Sequence, residues 1–348
     1  MFGSGKSIVG LDIGSSCIKA IELKRSKGEI VVSHLGVEPL ASDIVVDSMI
    51  VDSGSVSSAI SKIFGEHGIK TKSVATSVSG HSVIVKKISV QPMSEGELAE
   101  SITTEAAQHI PFDIADVNVD FDILNPDDTG PQMDVLLVAV KKDKILNYTN
   151  VLSLAGKSPA VVDIDAFALQ NCYEYNYQPH HDSTVALLNL GASVMNINIV
   201  KGSTPLFTRD VSVGGNQYTD ALQKELDLSF EDAERLKKGE ALPSVTDDQK
   251  QQILRSVSDI LTLEIQKTFD FFRATASGEN IQRIVVAGGT ARVPGLVDLL
   301  REEFAMPVEE LNPFRKVLIN PSRHSDDQIR EMAPRLAIAV GLALRSFD

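Results

Sequence analysis

The sequence of 348 residues has no hydrophobic run long enough to cross a membrane. Its longest apolar stretches, VLLVAV at 135–140 and LAIAVGLAL at 336–344, fall far short of the roughly 20 residues that a spanning helix needs. Near the N-terminus, IVGLDIG is interrupted by Asp12 and therefore lacks the apolar core of a signal peptide. We expect a protein that stays in the cytoplasm and does not insert into the bilayer.

Cysteine and positive charge are also scarce. Cys17 and Cys172 are the only cysteines, and their positions suit neither a metal site nor a disulfide framework, which indicates a reducing compartment. The 33 Lys and Arg residues are outnumbered by 47 Asp and Glu residues, giving a net charge of -14. Such an acidic chain offers nucleic acid no broad binding surface. It does not exclude one local anionic ligand held by backbone N–H groups and a few cations.

The length and a hydrophobic share of 43% suit a soluble protein with two domains or two lobes. Apolar residues at helical spacing predict a helix over about 53–67, ended by Gly68. From 81 to 160 the pattern predicts a self-contained α+β block. Its first helix begins with a capping box formed by Ser94 and Glu97, and its last runs over 142–155. The block has the size of an inserted subdomain.

An internal repeat indicates that the chain has two similar halves. IVGLDIGSSCIKAIEL (8–23) aligns without gaps on VALLNLGASVMNINIV (185–200), with Asp12 facing Asn189. Each segment is an apolar strand, a polar-x-Gly-x-Ser turn and a second strand, and the shared hydrophobic profile favours a duplication. Two lobes with facing turns would clamp a polyphosphate from both sides.

The first turn, DIGSS, has the residue types that hold a phosphate. Gly14 permits close approach of the backbone, and successive N–H groups in a turn can converge on an anion. Those N–H groups belong to Ser15, Ser16 and Cys17. Asp12 suits a magnesium ion held through water, and Lys19 would offset phosphate charge. The alternative is an ordinary hairpin with solvated polar residues.

GSGKS at 3–7 looks like a P-loop, but we do not expect it to be the phosphate site. The leading glycine of the P-loop motif would precede the chain, and the segment stands before its strand instead of after it. We expect a flexible terminus, with the nucleotide held at DIGSS and NLGAS.

Three further segments combine glycine turns and a charged helix. IVVAGGTARVPGL (284–296) is a strand, a glycine pair and a helix expected to start near Pro294, and GGNQYTDAL (214–222) is a glycine pair before a helix. EDAERLKKG (231–239) places Glu234, Lys237 and Lys238 on one helix. Structural turns and a solvated helix with an internal ion pair explain the same residues equally simply.

Together the motifs resemble, in content and order, the fold of actin, heat-shock chaperone ATPases and sugar kinases. DIGSS resembles the first phosphate loop of that fold and NLGAS the second. AGGTARVPGL resembles its adenosine loop, and AERLKK the helix that brackets purine and ribose. The resemblance implies an α/β, two-lobed actin-like fold, a duplicated ribonuclease H-like architecture that binds ATP and Mg²⁺.

Within that fold, two families are the nearest in pattern. The block at 81–160 sits where FtsA carries its inserted α+β subdomain, and VDIDAFALQN (162–171) resembles the segment that crosses between lobes. DIGSSCIKAIEL and EAAQHIPFDI are similar to the PilM family of type IV pilus assembly. As in that family, we expect no amphipathic membrane-targeting tail like that of FtsA. We expect a first lobe at 1–80, the insert at 81–160 and a second lobe at 161–348, whose C-terminal helix (about 327–347) packs back toward the first lobe.

The resemblance also implies roles for individual residues. The β- and γ-phosphates would lie against Ser15 and Ser16 with Lys19 nearby, and Asp12 would order Mg²⁺ through water. The second lobe would close over the phosphates with Gly191, Ala192 and Ser193. The ribose and adenine would be lined by Gly214, Gly215, Glu234, Lys237, Lys238, Gly288, Gly289, Thr290 and Arg292. Asp165 falls where the fold places its water-orienting residue and is the candidate general base.

The chain departs from the fold's pattern at Asn189, where the second loop commonly carries an aspartate. An amide can coordinate through its oxygen but brings no charge, so stabilisation of the metal and transition state should weaken. We expect ATP binding with slow hydrolysis.

PilM resemblance implies a scaffold role in pilus assembly. Its partner would be the N-terminal cytoplasmic peptide of the membrane protein PilN, which would link the chain to the inner-membrane platform of the pilus machine. Self-association is left open. An FtsA-like filament protein of cell division and a small-molecule or sugar kinase of the same fold are the alternatives.

Overall fold

The computed structural model describes residues 7–124, 130–276, 278–319 and 326–347. Most of the P-loop-like GSGKS, including Lys6, therefore lies outside the described residues. The first part of the chain forms β1 (Val9–Ile13), β2 (Cys17–Ser26), β3 (Glu29–Pro39), β4 (Val45–Val46), β5 (Met49–Ile50), α1 (Ser53–Glu66) and β6 (Ser73–Val78). The next block forms β7 (Val83–Val90), α2 (Glu95–Ala107), β8 (Val117–Ile123), β9 (Met133–Lys141) and α3 (Lys142–Leu154).

The remaining chain repeats the strand pattern of the first part. It forms β10 (Ser158–Ile164), α4 (Asp165–Tyr177), β11 (Thr184–Leu190), β12 (Met195–Lys201), β13 (Thr204–Val211), α5 (Gly215–Leu226), α6 (Phe230–Lys237) and α7 (Asp247–Thr275). After these come β14 (Arg283–Ala287), α8 (Leu296–Phe304), β15 (Val308–Glu310), α9 (Asp326–Met332) and α10 (Ala337–Leu344). Short 3-10 turns lie at Ile114–Asp116, Gly289–Arg292, Ala333–Leu336 and Arg345–Phe347.

Two sheets of the same topology confirm the predicted duplication. The first has the order β3-β2-β1-β6-β10 and the second β13-β12-β11-β14-β15. In each, three antiparallel strands joined by short turns continue into two strands that run parallel to the central one. Because strand order and direction agree, the equivalent turns β1–β2 and β11–β12 occupy equivalent ends of their sheets.

The block after β6 has a small sheet of its own. Its order is β7-β9-β8, and α2 packs on it through Leu98, Ile102 and Ala106. The predicted capping box is present, since Ser94 and Glu97 each bond the other's backbone N–H. By contrast, α3 buries its apolar face in the core around α1 and β6.

The two large sheets meet through a shared apolar layer. α4 and α10 lie between them, and this core includes Ile21 from the first sheet and Leu187 from the second. The packing is very close, because a Cβ added at Gly341 would stand 1.7 Å from the Ala168 carbonyl oxygen. β10 also completes the first sheet although residues 161–164 fall in the expected second lobe.

One predicted helix start is displaced. α8 begins at Leu296, two residues beyond Pro294, because a 3-10 turn at Gly289–Arg292 follows β14. Gly288 and Gly295 have φ angles of 90° and 81°, so the chain turns twice before the helix can begin.

Candidate nucleotide site

The turns of the two halves are closed by equivalent backbone hydrogen bonds and touch each other. Gly14 N–H donates to the Cys17 carbonyl at 3.2 Å, and Gly191 N–H donates to the Val194 carbonyl at 3.1 Å. The Oγ atoms of Ser15 and Ser193 lie 2.8 Å apart. Residues 178 positions apart in sequence are thereby brought into one site.

In the first half, Asp12 and Lys19 form an ion pair on neighbouring strands. They are register partners on β1 and β2, and Lys19 Nζ donates to Asp12 Oδ2 at 2.9 Å. Burial opposes the charge of Lys19, but attraction to Asp12 outweighs it and raises the pKa of the ammonium group above its usual range. A Cβ at Gly14 would lie 2.9 Å from Lys19 Nζ, so glycine is what leaves room for this pair.

In the second half, two amides occupy the equivalent positions. Asn189 and Asn196 are register partners on β11 and β12, and Asn189 Nδ2 donates to Asn196 Oδ1 at 2.8 Å. The departure at Asn189 therefore extends to both members of the pair, and the charged pair of the first half is matched by a neutral one. Asn196 was not among the residues that the sequence singled out.

Asp165 is the first residue of α4 and is partly buried beside the first sheet. Ser77 Oγ donates to its Oδ1 at 2.6 Å. Burial, and then the negative charge of Asp12, raise the pKa of Asp165 to about 6. Hydrogen bonds from Ser77 and Ser79 oppose that rise without cancelling it. A carboxylate with a raised pKa, electrostatically coupled to Asp12, has the properties of a general base.

Two charged groups near Asp165 escaped sequence reasoning. Asp210 on β13 accepts hydrogen bonds from Asn196 Nδ2 at 2.8 Å and from the Gly80 N–H at 2.6 Å, and burial raises its pKa. Lys144 on α3 is buried and donates to the Ser48 carbonyl. Burial lowers the pKa of Lys144 to about 8, although the charges of Asp165 and Asp210 oppose that shift. In the sequence, Asp210 and Lys144 are isolated charged residues in a strand and a helix, and neither belongs to a motif.

The glycine turns of the second half converge on the hairpin β11–β12. Gly215 N–H and Thr290 Oγ1 both donate to the Gly191 carbonyl, at 3.0 and 2.7 Å. A Cβ at Gly214 would stand 2.6 Å from the Ala192 carbonyl oxygen, and one at Gly288 would stand 2.2 Å from that of Leu190. Three segments that the sequence separates by up to about a hundred residues thus form one layer.

Glu234 and Lys237 lie against the start of α5, beside that layer. They form an ion pair, Thr219 Oγ1 donates to Glu234 Oε1 at 2.5 Å, and Lys237 Nζ donates to the Gly215 carbonyl at 3.2 Å. Burial disfavours the charge of Glu234, but attraction to Lys237 and the hydrogen bonds outweigh it and lower its pKa. For Lys237, burial is the larger effect and lowers the pKa, although attraction to Glu234 opposes that shift.

The other residues that we expect near the adenosine are more exposed. Lys238 caps the end of α6 and acts on Glu234 through its charge. Arg292 is half-exposed and pairs with Glu310 of β15 at 3.3 Å. A Cβ at Gly289 would meet nothing within 4 Å, so this residue has open space before it.

Comparison with known proteins decides the family. The model of the family "Type IV pilus assembly protein PilM" matches residues 10–347. The chain belongs to the PilM family. A solved PilM–PilN type IV pilus biogenesis complex contains a chain that is 27% identical, with 98% of each chain covered and a TM-score of 0.87.

More distant relatives share the architecture. The cell division protein FtsA of Streptococcus pneumoniae is 25% identical over 370 residues, covering 94% of this chain and 80% of FtsA. MreB5 of Spiroplasma citri bound to ADP is 12% identical, with 97% and 95% of the two chains covered and a TM-score of 0.56. The expected actin-like ATPase fold is confirmed, and this PilM-family chain carries it from β1 to the end of α10. In the described ranges, every helix is too short or too polar to span a bilayer.

Proposed function

We propose that the chain is an ATP-binding, actin-like scaffold of type IV pilus assembly that binds the N-terminal cytoplasmic peptide of PilN. The contact between the two equivalent hairpins at Ser15 and Ser193 carries the nucleotide part of this proposal. It brings together two turns that are closed by the same backbone hydrogen bond, one from each half, and successive N–H groups of such turns can bind an anion. Nucleotide-bound MreB5, which shares the fold, supports the same assignment.

The groups around this contact fit a nucleotide complexed with magnesium. Ser15, Ser16 and Lys19 would hold the outer phosphates, and Asp12 would hold Mg²⁺ through water. When bound, the metal would neutralise phosphate charge and polarise the phosphoryl group. The adenosine would rest on the layer around Gly215 and Thr290, next to Gly289, where an added Cβ would meet nothing within 4 Å.

The chain's own residues favour slow hydrolysis. Asp165, with a pKa of about 6, is ionised at neutral pH and can take a proton from an attacking water. The second hairpin faces the same region with Asn189 and Asn196, which carry no charge. Binding therefore depends mainly on the first half, whereas stabilisation of the transition state from the second half is weak. We therefore expect the protein to function in its nucleotide-bound form and to hydrolyse ATP slowly.

The partner is proposed from the family and from the PilM–PilN complex, at 27% identity over nearly the whole chain. Binding of the PilN peptide would hold a cytoplasmic protein at the inner membrane through its partner. That arrangement needs no membrane-spanning helix in this chain.

Titration calorimetry with the full chain tests both parts. We expect MgATP to bind, and a synthetic PilN N-terminal peptide to bind the ATP-loaded protein, whereas a scrambled peptide of the same composition should not. Failure of the peptide to bind the loaded protein would contradict the scaffold role. Rapid transfer of the γ-phosphoryl group to a sugar would favour a kinase, and ATP-dependent light scattering would favour an FtsA-like filament.

A further inference from the structure

A row of three polar side chains crosses the second sheet, from the hairpin β11–β12 to the outer strand β13. Asn189, Asn196 and Asp210 are successive register partners. Asn189 Nδ2 donates to Asn196 Oδ1, and Asn196 Nδ2 donates to Asp210 Oδ1, both at 2.8 Å. The direction of the row is fixed by its end, because an ionised carboxylate only accepts hydrogen bonds. Aligned donors of this kind polarise one another, so a change at one end is felt at the other.

At its far end the row contacts the chain segment where the 81–160 block begins. Asp210 Oδ2 accepts from the Gly80 N–H at 2.6 Å, and His81 Nε2 lies 3.2 Å from Ser212 Oγ. Gly80 and His81 form the connection between β6 and β7. Lys141 N–H donates to the Ser82 carbonyl at 3.0 Å, so the end of β9 is tied to the same connection. The second lobe therefore holds the segment through which the block leaves the first lobe, and the end of β9 is bonded to that same segment.

Side-chain packing leaves open space between the block and the second lobe at this point. A cavity of about 240 Å³ lies between β7 and β13, and its lining includes Val83, Val85, Thr208, Asp210 and Asp165. Protein interiors are otherwise close-packed, with few voids larger than a water molecule. Because this cavity separates the two strands over part of their length, the hydrogen bonds of Gly80 and His81 contribute to how the strands stand relative to each other.

We propose that this row couples the nucleotide site to the inserted block. In the part of the chain that the structure describes, no donor reaches Asn189 Oδ1, so this oxygen remains an acceptor at the start of the row. A magnesium-bound water or other donor brought by the nucleotide would polarise the amide of Asn189 and strengthen the hydrogen bonds from Asn189 to Asn196 and from Asn196 to Asp210. Because Asn196 and Gly80 donate to the same carboxylate, a stronger bond from Asn196 would weaken the bond from Gly80. Nucleotide loading thereby loosens the attachment of the second lobe to the block. This coupling depends on the proposed ATP binding, and it adds the path by which the bound nucleotide acts on the inserted block.

Hydrogen–deuterium exchange of the full chain, with and without saturating MgATP, tests the coupling at residues 79–90. In the wild-type protein we expect MgATP to speed exchange there by about fivefold or more, the size of a typical coupling between sites. Asn196→Ser cuts the row in its middle and leaves the Asp210–Gly80 bond in place. Asp210→Asn removes one of the two acceptors at its end. Both variants should still bind ATP, with the ATP-dependent rise in exchange at 79–90 lost.

Asp298→Asn is the matched control, because Asp298 is an exposed aspartate of the same lobe that pairs only with a neighbouring Arg301 in the described structure. It should behave as the wild type. If MgATP binds the wild type without changing exchange at 79–90, or if Asn196→Ser keeps the full effect, the coupling is wrong and the proposed function stands. If the wild type does not bind ATP at all, both are wrong.

Discussion

Lys19 donates to Asp12 at 2.9 Å, with the two side chains only 12% and 13% exposed. Each is therefore the main counter-charge of the other within the first hairpin. A phosphate that binds Lys19 draws it away from Asp12, and leaving that carboxylate without a partner is costly. A nucleotide complexed with Mg²⁺ supplies a partner to both groups at once. The pair thus couples phosphate binding to metal binding.

We predict that ATP affinity depends steeply on Mg²⁺ and that Asp12→Asn removes this dependence. The amide no longer competes for Lys19, so metal-free ATP should bind the variant at least as well as the wild type. The gain from Mg²⁺ should fall by about tenfold or more, the equivalent of one lost charge-assisted interaction of roughly 1.5 kcal/mol. Titrations of ATP with and without EDTA measure both quantities. Lys6→Ala should leave them unchanged, and an equal effect of Lys6→Ala would point to GSGKS.

The activity of the protein should depend on the protonation of Asp165. With a pKa of about 6, this residue is mainly protonated at pH 5 and mainly ionised at pH 7. Any hydrolysis that uses it as base should therefore rise between pH 5 and pH 7 and then level off. Single-turnover measurements with saturating MgATP give the profile. A flat profile over this range, or retained turnover in Asp165→Asn, would exclude Asp165 as the base.

The same group should make the protein less stable as pH rises. Its pKa in the folded state, about 6, lies above the ordinary 3.8, so the folded state binds the proton more tightly than the unfolded state. Its contribution to stability therefore falls between about pH 4 and pH 6 and stays constant above. Asp165→Asn keeps an acceptor for Ser77 but carries no charge. We expect it to gain up to about 3 kcal/mol at pH 7, since each pKa unit corresponds to about 1.4 kcal/mol, and little at pH 4. Urea unfolding at the two pH values measures the difference.

The sequence predicts the hairpins well because their signals are local and occur twice. Gly14 and Gly191 each follow an apolar strand, and the strand order repeats as the alignment of the two halves implies. Asp210 could not be found in this way, because its significance comes from a contact with Gly80, 130 residues away. The same holds for Lys144, which is defined by burial against Ser48 and not by any motif.

Motif membership also failed to specify which residues of the adenosine segments meet. Lys237 bonds the layer around Gly215, whereas its neighbour Lys238 lies at the C-cap and acts on Glu234 only through its charge, because one step along a helix rotates a side chain by about 100°. Arg292 turns to Glu310 because β15 runs beside β14 in the sheet. Such details depend on tertiary neighbours that a single segment does not contain.

We predict that Lys237→Ala weakens ATP binding without weakening the binding of magnesium tripolyphosphate. The substitution leaves Glu234 partly buried without its counter-charge beside Gly215, on the side expected to hold the adenosine. The loss of ATP affinity should be about tenfold, as for one partly buried charged hydrogen bond. Competition titrations against a fluorescent nucleotide give both affinities. Arg235→Ala on the outer face of α6 is the control, and a parallel loss of tripolyphosphate binding would place Lys237 on the phosphate side.

Within the shared apolar layer, the contact between α4 and α10 should be the point where an added methyl group destabilises the protein most. In Gly341→Ala the new methyl group would stand 1.7 Å from the Ala168 carbonyl oxygen, so one helix must move. Because α10 also packs against β1, where a Cβ at Gly10 would stand 2.1 Å from the Ala339 carbonyl oxygen, it has little freedom to shift. We expect a loss of about 3 kcal/mol or more, at the upper end of overpacked cores. Gly65→Ala in α1 meets nothing within 4 Å and should instead gain about 0.5 to 1 kcal/mol from helix propensity. Urea midpoints that shift equally, or in the same direction, for both variants would contradict this account of the contact between α4 and α10.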